Sequence, residues 1–221
     1  YEALVRIECC GICNSTDWKV VNGQMEWAGD PPLVLGHESV GVIEDVGTNV
    51  TTFKPGDRVT RPIYPRGREG WGSAWGGMAE YGIVTDTQAM AQDGDDSLLG
   101  DYNADRQNIV PPKLSPTDGA LAISLSETAS VLSCLPGLRG KTVAVAGTGI
   151  AGLSLTLWCK LAGGRVITLG RRNSRLVKAR QLGADVAVNT RCDNWQDQVH
   201  EAAGGVVDGV IEAIGNASFA E

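Results

Sequence analysis

Cys13, His37 and Glu38 are the residues of this 221-residue chain whose types and spacing could do chemistry. A thiolate, an imidazole and a carboxylate are the donors from which proteins build zinc sites. Cys13 ends the run Cys10-Gly11-Ile12-Cys13, and His37 and Glu38 stand side by side in Gly36-His37-Glu38-Ser39-Val40-Gly41. A catalytic zinc takes about three protein ligands and keeps one position for water or substrate. A further carboxylate, Glu127 in Leu125-Ser126-Glu127-Thr128, competes with Glu38 for a place in the shell. Cys10-x-x-Cys13 could instead be a redox pair, but Cys10 closes a β run and does not precede a helix. The second histidine, His200, sits among Gln196, Asp197, Gln198 and Glu201 and is expected at the surface.

A second constellation lies downstream. Gly147-Thr148-Gly149-Ile150-Ala151-Gly152 follows the apolar run Val143–Ala146 and opens an apolar helix. That is the context in which a G-x-G-x-x-G pattern binds a dinucleotide. The first glycine permits a tight turn, the second admits the pyrophosphate, and the third lets helix and strand pack closely. Sites that prefer NAD place an acid at the end of the next strand, on the ribose 2′-hydroxyl. Here Val166-Ile167-Thr168-Leu169 ends in Gly170-Arg171-Arg172. Two guanidiniums and no carboxylate suit a 2′-phosphate, so NADP(H) is predicted over NAD(H).

The elements that must position these groups fall into two textures. Residues 1–85 read as short β runs broken by Gly, Pro and Asp: Leu4–Cys9, Ser39–Val46, Arg58–Thr60 after the turn Pro55-Gly56-Asp57, and Ala79–Val84. This predicts a small β-barrel lobe. Residues 86–108 hold six aspartates and read as a solvated acidic loop, or a lid. Ser115-Pro116 predicts a helix start, and the helix is expected to run to about Leu135, ahead of Pro136-Gly137.

From Lys141 strands and helices alternate. Strands are predicted at Thr142–Ala146, Arg165–Leu169, Asp185–Val188 and Val206–Ala213, with helices at Ile150–Ala162, Asn173–Leu182 and Trp195–Ala203. This βαβαβαβ order predicts a parallel, doubly wound sheet. The fold class is therefore α/β plus β, with domains at 1–118 and 119–221.

Bulk composition excludes other classes. The net charge is −7, which argues against binding a nucleic-acid backbone. No apolar run reaches the length of a membrane span. Six scattered cysteines, with no leader pattern, fit a reducing compartment, hence the cytoplasm. The chain opens at Tyr1 inside strand-like sequence and stops at Glu221 just after a strand, and it reads as a piece of a longer protein.

The run Gly36-His37-Glu38-x-x-Gly41-x(5)-Gly47-x-x-Val50 resembles the signature of zinc-containing medium-chain dehydrogenases/reductases, the alcohol and polyol dehydrogenase family. Gly11-Ile12-Cys13, Lys54-Pro55-Gly56-Asp57-Arg58-Val59, Gly76-Gly77-Met78-Ala79-Glu80-Tyr81 and the dinucleotide fingerprint extend the likeness along the chain. The resemblance implies a GroES-like catalytic lobe, lacking its start, and a Rossmann domain lacking its second half. It implies catalytic zinc on Cys13 and His37, with Glu38 beside the metal and Glu127 as the best match to the remaining ligand. It also implies a small-molecule alcohol or carbonyl substrate and a homo-oligomeric protein. Members often carry a structural zinc on four cysteines. Residues 60–85 contain no Cys, so one catalytic zinc and no structural zinc are expected. Where members place one hydroxyl after the cysteine as a proton relay, this chain offers Ser15 and Thr16.

The implied reaction is hydride transfer between an alcohol, or its aldehyde or ketone, and NADP(H). The alternatives are a zinc-free quinone or enoyl reductase of the same superfamily, and a non-catalytic nucleotide-binding fragment. Trp71 and Trp75 could line the substrate cleft or pack the lobe.

Overall fold

A computed structural model describes residues 1–65, 70–101, 103–135 and 137–215. The chain divides into two units, Tyr1–Ile123 and Ser124–Glu221.

In the first unit, strands β1 (Glu2–Gly11), β3 (Glu38–Val46), β4 (Arg58–Thr60) and β6 (Tyr81–Thr85) form an antiparallel sheet in the order β4-β3-β1-β6. A parallel pair, β2 (Leu33–Val34) and β5 (Gly72–Ser73), stands apart from it. Alternation along β1 turns Ala3 and Val5 into a core with Ile43, Val59 and Val84. Leu4 faces the other way and is 40% exposed. Gly41 lies where β3 crosses β1 most closely: a Cβ there would stand 2.5 Å from the Arg6 carbonyl oxygen. No side chain fits that gap, which accounts physically for this glycine of the His-Glu run.

The aspartate-rich stretch is more structured than a solvated loop. It contains α2 (Thr87–Gln92) and a 3-10 turn at Ala104–Arg106. Asp86 is 1% exposed. Its carboxylate caps α2 by accepting from the Ala89 N–H, and also accepts from the N–H groups of Thr51 and Thr52. The reading of this residue as solvated is therefore corrected: a short polar side chain at an N-cap can satisfy several orphan donors at once. Burial works against its charge, but the three N–H donors outweigh it and lower its pKa. The depressed folded pKa means that Asp86 stabilises the fold above its unfolded pKa and that this contribution is lost as pH falls through the folded value. Asp86→Ala is expected to cost roughly 2–4 kcal/mol at pH 7. Urea titrations from pH 7 downward would check this, because the gap between parent and variant should narrow as pH falls through the folded pKa.

Helix α3 (Pro116–Ser130) begins as the Ser-Pro pair suggests. Ser115 Oγ accepts from the Asp118 N–H and donates to the Asp118 carboxylate, a capping-box arrangement. The helix ends earlier than expected and a 3-10 turn follows at Val131–Cys134. Pro136, the expected terminator, lies outside the described residues.

The second unit is built on β7 (Thr142–Ala146), β8 (Arg165–Gly170), β9 (Val186–Asn189) and β10 (Gly209–Glu212). All pairings are parallel, in the order β10-β7-β8-β9. Helices α4 (Ile150–Leu161), α5 (Asn173–Gln181) and α6 (Trp195–Ala203) connect them. Both faces of the sheet are covered, so β7 and β8 are apolar almost throughout, as parallel strands must be. Val143, Val145, Leu155, Cys159 and Val166 form one core cluster; Ala146, Ile167, Leu169 and Val188 form another. The strand order is that of a Rossmann mononucleotide half plus the first strand beyond its switch point. Among the described residues no helix is long and apolar enough to cross a membrane.

Candidate functional site

The first unit assembles a cluster from two separate segments. Cys13 lies between β1 and α1 (Thr16–Val21), while His37 and Glu38 lie at the start of β3. One ligand atom from each of Cys13, His37 and Glu38 falls within 4.8 Å of the others. Glycines make this possible. A Cβ on Gly11 would stand 2.6 Å from Glu38 Oε2, so the carboxylate occupies the space that the missing side chain leaves. Gly36 has φ +105°, and a Cβ there would stand 2.7 Å from Cys10 Sγ. The turn that presents His37 therefore needs glycine both for its backbone and for room.

Helix α1 holds the cysteine in place. The Cys13 N–H donates to Asp17 Oδ2 at 2.8 Å, and the Thr16 N–H donates to Cys13 Sγ at 3.3 Å. The other Asp17 oxygen, Oδ1, lies 3.4 Å from His37 Nδ1. Asp17 and His37 are both buried. Asp17 thus ties the thiolate loop to the imidazole, a role that sequence reading did not assign. Its one signal was position: an acid four residues after a candidate ligand cysteine, in the first turn of α1. The two polar atoms facing each other, Asp17 Oδ1 and His37 Nδ1, are buried with no well-aligned hydrogen bond. An imidazole with its proton on Nδ1 would present that N–H to the carboxylate and leave Nε2 free for a metal.

The electrostatics separate the two cysteines. The Cys13 thiol is lowered to about 7 by its hydrogen bond with His37, against burial, with help from the Thr16 and Ser15 N–H groups and the Thr16 hydroxyl. Cys10 is pushed up to about 11, chiefly by burial and then by the Asp17 charge. Cys13 therefore titrates near neutral pH, whereas Cys10 stays a thiol. All six cysteines are free. For His37, burial disfavours the imidazolium, but Cys13, Asp17 and Glu38 together raise its pKa. The donor set, its charge and its compactness fit a zinc ion. Of the two candidate relay hydroxyls, that of Thr16 lies against Cys13 Sγ, whereas Ser15 is exposed. Glu127 lies on α3 in the second unit.

In the second unit the glycines of the Gly147–Gly152 turn are of two kinds, packed and open. Gly147 has φ +124°, and a Cβ there would stand 2.8 Å from the Ala213 carbonyl oxygen. A Cβ on Gly152 would stand 2.1 Å from the Gly147 carbonyl oxygen, so α4 can approach β7 only with glycine there. Gly149 is different: nothing lies within 4 Å of where its Cβ would be. Its openness leaves room for an incoming group and not for packing. As the N-cap of α4 it offers no side-chain acceptor, so the first N–H groups of the helix remain available to a phosphate. Thr148 is buried, and its side chain fills the space beside Gly170, where a Cβ would stand 2.6 Å from Thr148 Cγ2. No acid can occupy position 170 without displacing Thr148. Arg171 and Arg172 are exposed, and Arg172 is the N-cap of α5. Ile150 is 49% exposed at the helix start, with Ala151 half-buried behind it.

Residues 1–93 match the family model "Alcohol dehydrogenase GroES-like domain", and residues 151–221 match "Zinc-binding dehydrogenase". The chain belongs to the medium-chain dehydrogenase/reductase family. An alcohol dehydrogenase of Geobacillus stearothermophilus is 33% identical over 229 residues, covering 99% of this chain and 65% of that protein. A second from the same organism is 30% identical over 230 residues, covering 99% and 64%. Among solved structures, the alcohol dehydrogenase TADH from Thermus sp. ATN1 matches with a TM-score of 0.73 and 27% identity, over 99% of this chain and 65% of that one. A Sinorhizobium meliloti 1021 protein bound to NADP matches with a TM-score of 0.76 and 28% identity, over 100% and 64%. This medium-chain dehydrogenase/reductase chain thus spans about 65% of the length of the curated relatives it matches. Its architecture is a GroES-like lobe followed by a Rossmann-type parallel sheet, as expected from the sequence.

Proposed function

We propose that this protein is a zinc-dependent oxidoreductase that moves a hydride between an alcohol or polyol, or the matching aldehyde or ketone, and NADP(H). The convergence of Cys13, His37 and Glu38 within 4.8 Å carries the reading. These three would hold one zinc ion, with Glu127 as an alternative carboxylate ligand. Zinc bound there would act as a Lewis acid on the substrate oxygen and lower the pKa of an alcohol. Asp17 faces His37 Nδ1 and so leaves Nε2 as the ligand nitrogen. Thr16, whose hydroxyl lies against Cys13 Sγ, is the better placed of the two hydroxyls to take the alcohol proton, and Ser15 can pass it to water. Bound NADP(H) would supply the hydride acceptor for the alcohol carbon, or the donor in the reverse direction.

In the second unit, Gly147 to Gly152 would cradle the pyrophosphate at the start of α4, with Thr148, Ile150 and Ala151 completing the turn. Gly170, Arg171 and Arg172 would receive the 2′-phosphate. The NADP found on the Sinorhizobium meliloti relative supports that choice. No Cys occurs in residues 60–85, which supports one zinc and no structural site. Free thiols suit the cytoplasm, and the resemblance favours a homo-oligomer.

Calorimetric titration tests the cofactor reading. NADPH should bind roughly ten- to a hundredfold tighter than NADH, and Arg171→Ala/Arg172→Ala should erase the difference by weakening NADPH alone. Equal affinity for both cofactors in the unaltered protein would defeat it. Elemental analysis showing no stoichiometric zinc would favour a zinc-free reductase.

A further inference from the structure

Trp75 carries a strained backbone against a candidate metal ligand. Among the described residues only Arg61 and Trp75 are non-glycine residues with positive φ, and Trp75 stands at +68°. A bulky side chain there is an outlier that the surroundings must hold in place. The holding contacts lie on both sides. The Tyr64 N–H donates to the Trp75 carbonyl at 2.9 Å. Gly77 and Met78 donate their N–H groups to the carbonyls of Gly36 and Leu35, at 2.8 Å each. The segment carrying Trp75 is thereby stitched to the segment that presents His37.

The result is a ring placed on the metal cluster. The Trp75 and His37 centroids lie 4.8 Å apart at 46°. Trp27 meets Trp75 edge-on, 4.7 Å away at 80°. Beneath Trp75 the packing is apolar: Val20, Ala28 and Ala74, with Met25, Leu33 and Leu35. Trp27 is 48% exposed and Trp75 half-buried, so this pair is not simply lobe core. The left-handed backbone and the ring contact with His37 fall at the same residue. Trp71, the other tryptophan of this segment, makes neither ring contact and is 46% exposed.

We infer that Trp75 and Trp27 form an aromatic wall beside Cys13, His37 and Glu38 that selects substrates with a flat aromatic or conjugated group next to the carbinol carbon. Aromatic pairs favour stacked or edge-to-face contact. A polyol would have to desolvate hydroxyls against two largely apolar ring faces, each indole offering one N–H donor and no acceptor. Within the proposed function, on which this inference rests, the wall therefore favours aryl or allylic alcohols and aldehydes over polyols and short aliphatic alcohols.

The test titrates the intact, zinc-supplemented protein with benzyl alcohol, ethanol and glycerol, read by tryptophan fluorescence and by saturation-transfer NMR. Zinc content is measured alongside. Benzyl alcohol should bind at least about tenfold tighter than the other two. Trp75→Ala should lose roughly three- to tenfold of that affinity with zinc content unchanged. Trp27→Ala, at a half-exposed position, should lose a similar share and serves if Trp75→Ala does not fold. Equal affinity for the three alcohols, or a preference untouched by loss of the ring, overturns the wall while leaving the zinc reading standing. Tryptophan-dependent benzyl alcohol binding by a protein that takes up no zinc supports the wall and overturns the zinc reading.

Discussion

His37→Ala is expected to abolish zinc binding and to cut alcohol oxidation by about a thousandfold or more. The imidazole is one of three converging donors, and two protein ligands rarely hold a catalytic zinc. Loss of the Lewis acid removes ~4 kcal/mol of charge stabilisation from the transition state. The variant also leaves Asp17 buried, facing a void where His37 Nδ1 stood 3.4 Å away. Metal content after dialysis and single-turnover rates measure both effects. Cys10→Ala is the matched control. Cys10 lies only three residues before Cys13, but its thiol is held up to about 11 and it stands outside the ligand cluster. Its loss should leave zinc stoichiometry unchanged. If Cys10→Ala loses zinc as completely as His37→Ala, the ligand set is wrong.

Gly152→Ala and Gly149→Ala should fail in opposite ways. The added methyl at 152 would stand 2.1 Å from the Gly147 carbonyl oxygen and 2.6 Å from its carbon. Both atoms are backbone, so α4 must move away from β7. The expected cost is ~3 kcal/mol, or roughly 6–12 °C in Tm. NADPH binding should fall with it, because the displaced turn no longer presents its N–H groups. At 149 the methyl meets no protein atom within 4 Å, and the backbone sits at φ −74°, ψ −174°, which alanine tolerates. Tm should stay within about 2 °C of the parent, since substitutions that touch nothing rarely matter more. NADPH affinity should nevertheless drop by roughly a hundredfold, because the methyl enters the space a pyrophosphate would use. Calorimetric melting and NADPH titration of the two variants separate packing from binding. A Gly149→Ala protein with unchanged NADPH affinity would show that no phosphate approaches this turn.

The parallel sheet was legible because its strands are continuous apolar runs separated by helices of ordinary length. Thr142–Ala146 and Trp195–Ala203 coincide with the elements read from the pattern. The last strand is shorter than its apolar run suggested, Gly209–Glu212 in place of Val206–Ala213, because the ladder with β7 is in register over those four residues. In the first unit, alternation located β1 and β3, yet short elements escaped. Helix α2 has only six residues, too few for a period to show, and depends on the Asp86 cap.

The sequence by itself determined the donors and the turn: a cysteine, a histidine and a carboxylate at recognisable spacing, and glycines where backbone must bend or pass close. It also determined the order of the elements, since hydrophobic period is a local property. Only the tertiary structure decided which groups meet. Asp17 faces His37 across 20 residues, Trp75 reaches the same ring from 38 residues away, and Gly11 makes room for Glu38. Each contact is made by strand register and by close approach of separate segments. Those depend on packing over the whole unit and leave no local periodic trace in the chain.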